Sequence, residues 1–243
     1  MKTIFSTLLL FVLAINTNAQ ETNPIKKWSF GAELFPNMTS EIISSDGNTN
    51  DDSEIYYNST EIAKFCMSGQ VYSSYNFNSK TSLSIGLGYQ NTGNKTRETQ
   101  LTYGDYIDSR RGFIYGDSTS NGDNLIFKYN HHNIQIPVFL NYNFTRKFYV
   151  RSGISTIFNF SNTTTSVLRT SDETKRNTDK QTSTDYRTFN FSGNLGIGYS
   201  YFKSSNLDLY VQLNYETTFM QLAKNTPINR RPVSVGLIFG AKI

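Results

Sequence analysis

Between Phe189 and Tyr201 the odd positions are Phe189, Phe191, Gly193, Leu195, Ile197, Tyr199 and Tyr201, and the even ones are Asn190, Ser192, Asn194, Gly196, Gly198 and Ser200. Successive side chains of a β-strand point to opposite faces, so such a segment carries one apolar and one polar face. Seven further segments show the same period of two, and no segment longer than a turn shows a helical period. The eight predicted strands span about 27–38, 63–77, 81–91, 131–144, 147–160, 187–202, 206–219 and 233–243.

The apolar sets agree from strand to strand. The first holds Trp28, Phe30, Ala32 and Leu34, the third Leu83, Ile85, Leu87 and Tyr89, and the last Val233, Val235, Leu237, Phe239 and Ala241. The opposite faces are rich in Ser, Asn, Gln and Gly. They also carry five ionisable residues, Glu33, Asp208 and Glu216 against Arg151 and Lys242. Charges enclosed together demand partners, so these five are expected to form a charge network inside the barrel. A soluble lipocalin-like barrel would turn the apolar rows inward around an apolar ligand, whereas a barrel in lipid turns them outward. The regular polar face with its charges favours the second arrangement.

Connection lengths alternate. Asn78-Ser79-Lys80, Thr145-Arg146 and Lys203-Ser204-Ser205 are short links, while 39–62, 92–130, 161–186 and 220–232 are long ones. An up-and-down barrel places all short turns at one rim and all long loops at the other, as outer-membrane barrels do with periplasmic turns and extracellular loops. The expected fold is therefore all-β, an eight-stranded antiparallel up-and-down transmembrane barrel. Trp28, Phe77, Tyr142, Phe144, Phe148, Tyr201 and Phe202 would form an aromatic girdle at the turn rim.

Residues 1–19 read as a secretory signal peptide, with Lys2 before the apolar run Leu8–Ile15 and small residues up to Ala19. Residues 20–243 are then one barrel domain, expected in the bacterial outer membrane. Aromatics make up 14% of the chain against 5 prolines, which suits uninterrupted strands. The net charge of +4 is scattered, without the basic stripe that a nucleic-acid surface needs. A lone cysteine, Cys66, excludes an internal disulfide framework, and its parity places it on the inward face as a space-filler.

Candidate chemistry is sparse. His131 and His132 are adjacent on a strand and point to opposite faces, so they cannot chelate one ion together. Loop carboxylates such as Asp105 and Asp108 are interleaved with Lys, Arg and Asn, and no arrangement suggests an enzyme or a bound cofactor. Loop 92–130 combines Tyr103, Tyr106 and Tyr115 with Arg110 and Arg111, a composition common at recognition surfaces. These five are the candidate loop binding surface, for a surface ligand. Expected partners are otherwise outer-membrane lipid and a periplasmic protein.

The stretch Asn133-Ile134-Gln135-Ile136-Pro137-Val138-Phe139-Leu140-Asn141-Tyr142 resembles a strand of the PorT-like outer-membrane β-barrel family of Bacteroidetes. Val150-Arg151-Ser152-Gly153-Ile154-Ser155 is similar to the strand that follows it. Phe191–Tyr199 and Val233–Phe239 resemble the family's Gly-rich strand and closing strand. Gln135 stands where the family frequently has an acidic residue, and the chain ends in Lys242-Ile243 instead of an aromatic. The resemblance implies an outer-membrane barrel, mostly of undefined activity, and it brings no catalytic residues; the residues themselves favour a structural or surface-binding role with a lumen filled by side chains. The resemblance implies as the alternative a component of an outer-membrane secretion or transport system. A membrane-embedded enzyme is the less favoured reading.

Overall fold

The computed structural model describes residues 26–45, 60–102, 106–108, 113–115, 120–170, 173–180, 186–204, 206–222 and 228–243. Eight long strands form the barrel: β1 (Trp28–Ser45), β2 (Glu61–Asn76), β3 (Thr81–Thr92), β8 (Ser120–Asn143), β9 (Phe148–Arg169), β11 (Phe189–Lys203), β12 (Asp208–Thr218) and β13 (Ile228–Lys242). Five shorter strands stand beyond the loop rim: β4 (Asn94–Thr96), β5 (Thr99–Thr102), β6 (Tyr106–Asp108), β7 (Phe113–Tyr115) and β10 (Thr174–Lys180). All pairings are antiparallel, and β1 pairs with both β2 and β13, so the ring closes without an edge.

The apolar rows face outward. Leu34 and Ile197 are each 60% exposed, whereas Ser192 and Thr39 on the opposite face are fully buried. Soluble proteins rarely expose an apolar patch above a few hundred Å². Here an apolar belt runs around the whole ring, and lipid is the solvent that tolerates it. No helix among the described residues is long and apolar enough to cross a membrane.

Side-chain acceptors build the three short turns. Asn78 Oδ1 accepts from the Lys80 and Thr81 amides, Thr145 Oγ1 from Lys147 and Phe148, and Ser204 Oγ from Asn206 and Leu207. Asn, Thr and Ser at these places thus supply the local bonds that reverse the chain. Near the third turn the pairing of β11 with β12 shifts between Ser200 and Phe202, which leaves Tyr201 as an extra residue. This bulge puts two consecutive aromatics, Tyr201 and Phe202, on the lipid side at the turn rim.

Four barrel strands run further than their apolar alternation predicts. β1 continues to Ser45, β9 continues to Arg169, and β8 and β13 begin at Ser120 and Ile228. The segment 92–130, expected to be loop, holds β4 to β7 and the first part of β8. Above the membrane the outward positions no longer need to be apolar, so the period-two signal stops while the hydrogen-bond ladder continues. Gly93, at a φ of 144°, joins β3 to β4, and a Cβ there would overlap the Tyr129 carbonyl. Lys64 Nζ donates to that carbonyl at 2.6 Å, tying β2 to β8 at the same level.

Candidate functional site

On the turn side of its length the barrel is closed by one ion pair set in a ring of aromatics. Glu33 of β1 and Arg151 of β9, 118 residues apart, meet at 2.5 Å, each 4% exposed. Gln70 and the Tyr210 hydroxyl also donate to the Glu33 carboxylate, and Arg151 Nε donates to Asn141 Oδ1 at 2.8 Å. The guanidinium lies 5.1 Å from the ring centre of Phe139 and 5.7–5.9 Å from those of Tyr72, Tyr149 and Tyr210. Hydrogen bonds and ring faces together replace the water that a buried ion pair loses.

Three glycines make room for this plug. Tyr72, Tyr149 and Tyr210 stand directly opposite Gly31, Gly198 and Gly240 on neighbouring strands. A Cβ on any of the three glycines would overlap the facing tyrosine ring. An eight-stranded barrel has an interior only wide enough for side chains, so each large ring requires a partner with none. The Tyr72 and Tyr210 hydroxyls bond to each other at 2.8 Å, and Tyr149 donates to Gln212 at 3.1 Å. Among the described residues, two small spaces lie beside this plug. One, of about 30 Å³, lies on the turn side by Ser84, Asn141 and Asp208, and one of about 20 Å³ lies on the loop side by Gln135, Asn194 and Glu216.

The five charged residues expected to pair do not form one network. Glu216 accepts from Ser192 Oγ at 2.7 Å and from Gln90 Nε2 at 2.8 Å, with no ion pair among the described residues. Asp208 lies 3.9 Å from Lys203, and its Oδ1 is buried without a partner among the described residues. Lys242 stands opposite Asp208 in the ladder yet forms no ion pair among the described residues. Amides and hydroxyls take the place of cations around Glu216, which parity along a strand does not reveal.

A second polar cluster fills the barrel above the apolar belt, and sequence reasoning did not single it out. Arg230 of β13 bridges Glu61 of β2 at 2.7 Å and Glu41 of β1 at 3.3 Å. Asn94 donates to the other Glu61 oxygen, and His131 Nε2 lies 3.6 Å from Glu41 while its Nδ1 faces Asn162 Oδ1 at 2.7 Å. Burial raises the Glu61 carboxyl to about 7, against the pull of Arg230 and with a further push from Glu41. Burial also pushes Glu41 up, but the His131 hydrogen bond and Arg230 outweigh it and hold that carboxyl below its ordinary value. Glu41 continues the inward odd row of Glu33, Phe35, Asn37 and Thr39, a signal available in the sequence once β1 is allowed to run past residue 38.

The other candidate residues separate. His131 is buried inside, whereas His132 faces outward against Tyr89 and Phe160. Cys66 is buried on the inward face. Tyr103, Arg110 and Arg111 lie outside the described residues. Tyr106 and Tyr115 are backbone partners in the β6–β7 pair.

The model of a family described as "Outer membrane protein beta-barrel domain" matches residues 18–223. No curated protein sequence matches the chain. Among solved structures the chain is similar to Ail, the attachment invasion locus protein of Yersinia pestis, with 8% identity, 89% of this chain and 99% of that chain covered and a TM-score of 0.35. It is also similar to Neisserial surface protein A, with 10% identity, coverage of 89% and 96% and a TM-score of 0.39. A third similar structure is the outer membrane protein OprG of Pseudomonas aeruginosa, with 14% identity, coverage of 89% and 96% and a TM-score of 0.36. With its outward apolar belt, closed ring and matching family model, the chain belongs to the outer membrane protein β-barrel domain family.

Proposed function

We propose that this barrel is a non-enzymatic, non-porous anchor whose working part is the structure it raises above the membrane. The observation that supports this reading is the plug. Arg151, Glu33 and the rings of Tyr72, Phe139, Tyr149 and Tyr210 leave inner spaces that hold a water or two, too small for a solute. The chain meanwhile extends β1, β8, β9 and β13 beyond the apolar belt as a platform. Surface binding is the role that such a platform suits, since recognition residues concentrate on loops held by a rigid scaffold.

The test is flux. Liposomes holding the folded protein are expected to exclude a small sugar such as arabinose at the rate of protein-free liposomes. Swelling at the rate of a porin control would overturn the proposal. A role in secretion, implied by the resemblance to PorT-like barrels, would instead require a stable partner that cross-links to the short turns at 77–80, 144–147 or 204–207.

A further inference from the structure

Above the apolar belt, the outward face of β4, β8, β9 and β10 carries cations and no acidic side chain among the described residues of those rows. Lys95 stands directly opposite Lys128, Lys128 opposite Thr165, and Thr165 opposite Thr178, one continuous row across four strands. Arg176 and Lys180 flank Thr178 two residues away on either side, on the same face of β10. With strands about 4.8 Å apart and about 3.3 Å per residue, the four cationic side chains start within roughly 15 Å of one another. Arg176 and Lys180 are exposed, Lys95 and Lys128 half-buried, and none of the four forms an ion pair among the described residues. The nearby acidic groups are already engaged, Glu98 with Arg169 and Glu173 with Lys175.

Two features of this face suit a bound anion. Like charges directly opposite across a strand pair are destabilising on their own, and Lys95–Lys128 is such a pair with no ion-paired carboxylate among the described residues. Its height is the second. His132, stacked on Tyr89 and next to Phe160, marks the top of the outward aromatic rows. Thr163 and Lys180 lie two residues above that level and Lys128 four, since Asn130 pairs with Thr163. For a strand tilted about 40° this places Lys180, Lys95 and Lys128 roughly 5–10 Å above the rings, the depth of the polar head groups, and Arg176, six residues up at the level of Ile126, roughly 15 Å above them. Long Lys and Arg side chains also lie along an apolar surface while their charges reach that zone.

We propose that Lys95, Lys128, Arg176 and Lys180 form a binding site for the phosphate groups of anionic lipids in the surrounding leaflet. The site clamps head groups against β10, which closes the extended sheet with an otherwise free edge. It rests on the barrel standing in lipid and not on the proposed lack of a pore, so failure of one reading leaves the other intact.

The test uses the full chain folded into nanodiscs of phosphatidylcholine containing a tenth of bis-phosphorylated lipid A, with native mass spectrometry of the extracted protein counting retained lipid. Wild type is expected to retain lipid A at least about tenfold better than K95Q/K128Q/R176Q/K180Q, given the attraction of each cation near a charged surface. K80Q/K147Q, at the turn rim, is expected to match wild type. Gel mobility with and without boiling reports that each variant is folded. If the quadruple variant cannot be folded, Lys128→Glu replaces it. That substitution is expected to lower lipid A retention while raising the urea midpoint in pure phosphatidylcholine, because it relieves the repulsion from Lys95.

Equal retention by wild type and the loop-rim variant would overturn the proposal, as would equal loss in the turn-rim control. Retention of inositol hexakisphosphate by the protein in lipid-free detergent, with no preference for lipid A over phosphatidylcholine, would also overturn it and make the occupant a soluble polyanion.

Discussion

Replacing Arg151 by Met should destabilise the barrel by about 3–5 kcal/mol, the range for breaking a buried pair by removing one partner. The low end applies here, because Glu33 keeps its bonds from Gln70 and Tyr210 after the guanidinium is gone. Glu33→Gln should fall at the upper end. It strands a cation whose remaining polar partner is Asn141 and whose other neighbours are ring faces. The double variant E33Q/R151M removes both charges and leaves a linear side chain of similar bulk among the rings. Buried pairs replaced by well-packed neutral groups are often close to neutral, so the double variant should lose less than about 1–2 kcal/mol. The assay is equilibrium urea unfolding in lipid vesicles, followed by tryptophan fluorescence from Trp28 at the turn rim. A double-mutant cycle then yields the coupling, expected from these three losses at about 6–7 kcal/mol in magnitude, above the usual range for contacting residues. Single substitutions that each lose less than about 1 kcal/mol, or a double loss equal to their sum, would refute the view that this pair holds the plug.

Two other outcomes follow from the plug and the loop-rim cluster. Gly240→Ala places a methyl group into the Tyr210 ring, and overpacking of this kind should lower stability by about 1–3 kcal/mol in the same unfolding assay. For Glu61 the folded value, about 7, lies above the ordinary 4.5, so its contribution to stability is fully present below pH 4.5 and is lost as pH rises to about 7. Glu61→Gln should therefore flatten the decline in urea midpoint between pH 5 and 8, with a gain on the order of 2 kcal/mol at pH 8. Glu41 acts in the opposite sense, stabilising above its ordinary value and losing that contribution as the pH falls through its lowered one. The decline that remains at acid pH in the variant reports it.

Much of the fold is legible residue by residue. Leu83, Ile85, Leu87 and Tyr89 against Ser84, Gly86 and Gly88 state which side of β3 meets lipid, and Asn78, Thr145 and Ser204 announce their turns. The interior is less legible. Parity places Glu33, Arg151, Asp208, Glu216 and Lys242 inside, but it says nothing of their heights relative to one another. Of the five, the ladder brings Glu33 and Arg151 within hydrogen-bonding distance, and it sets Glu216 beside Ser192 and Gln90 instead. Glu41, Glu61 and Arg230, which gather around His131 at the loop rim, lie outside the period-two signal because their strands continue where the outward residues turn polar.

The sequence by itself determined a closed ring of strands, apolar outside and polar within, because side-chain direction alternates along any strand and lipid accepts only one of the two sets. Which inward groups touch was decided by the tertiary structure. Contacts across the lumen depend on the register of every strand pair around the ring and on single-residue shifts such as the one at Phe160, where β8–β9 pairing passes from Asn133↔Asn159 to His132↔Ser161. That one unpaired residue reverses the parity of β9, turning Asn162 and Thr164 inward and placing Thr163 and Thr165 on the face that carries the lysines.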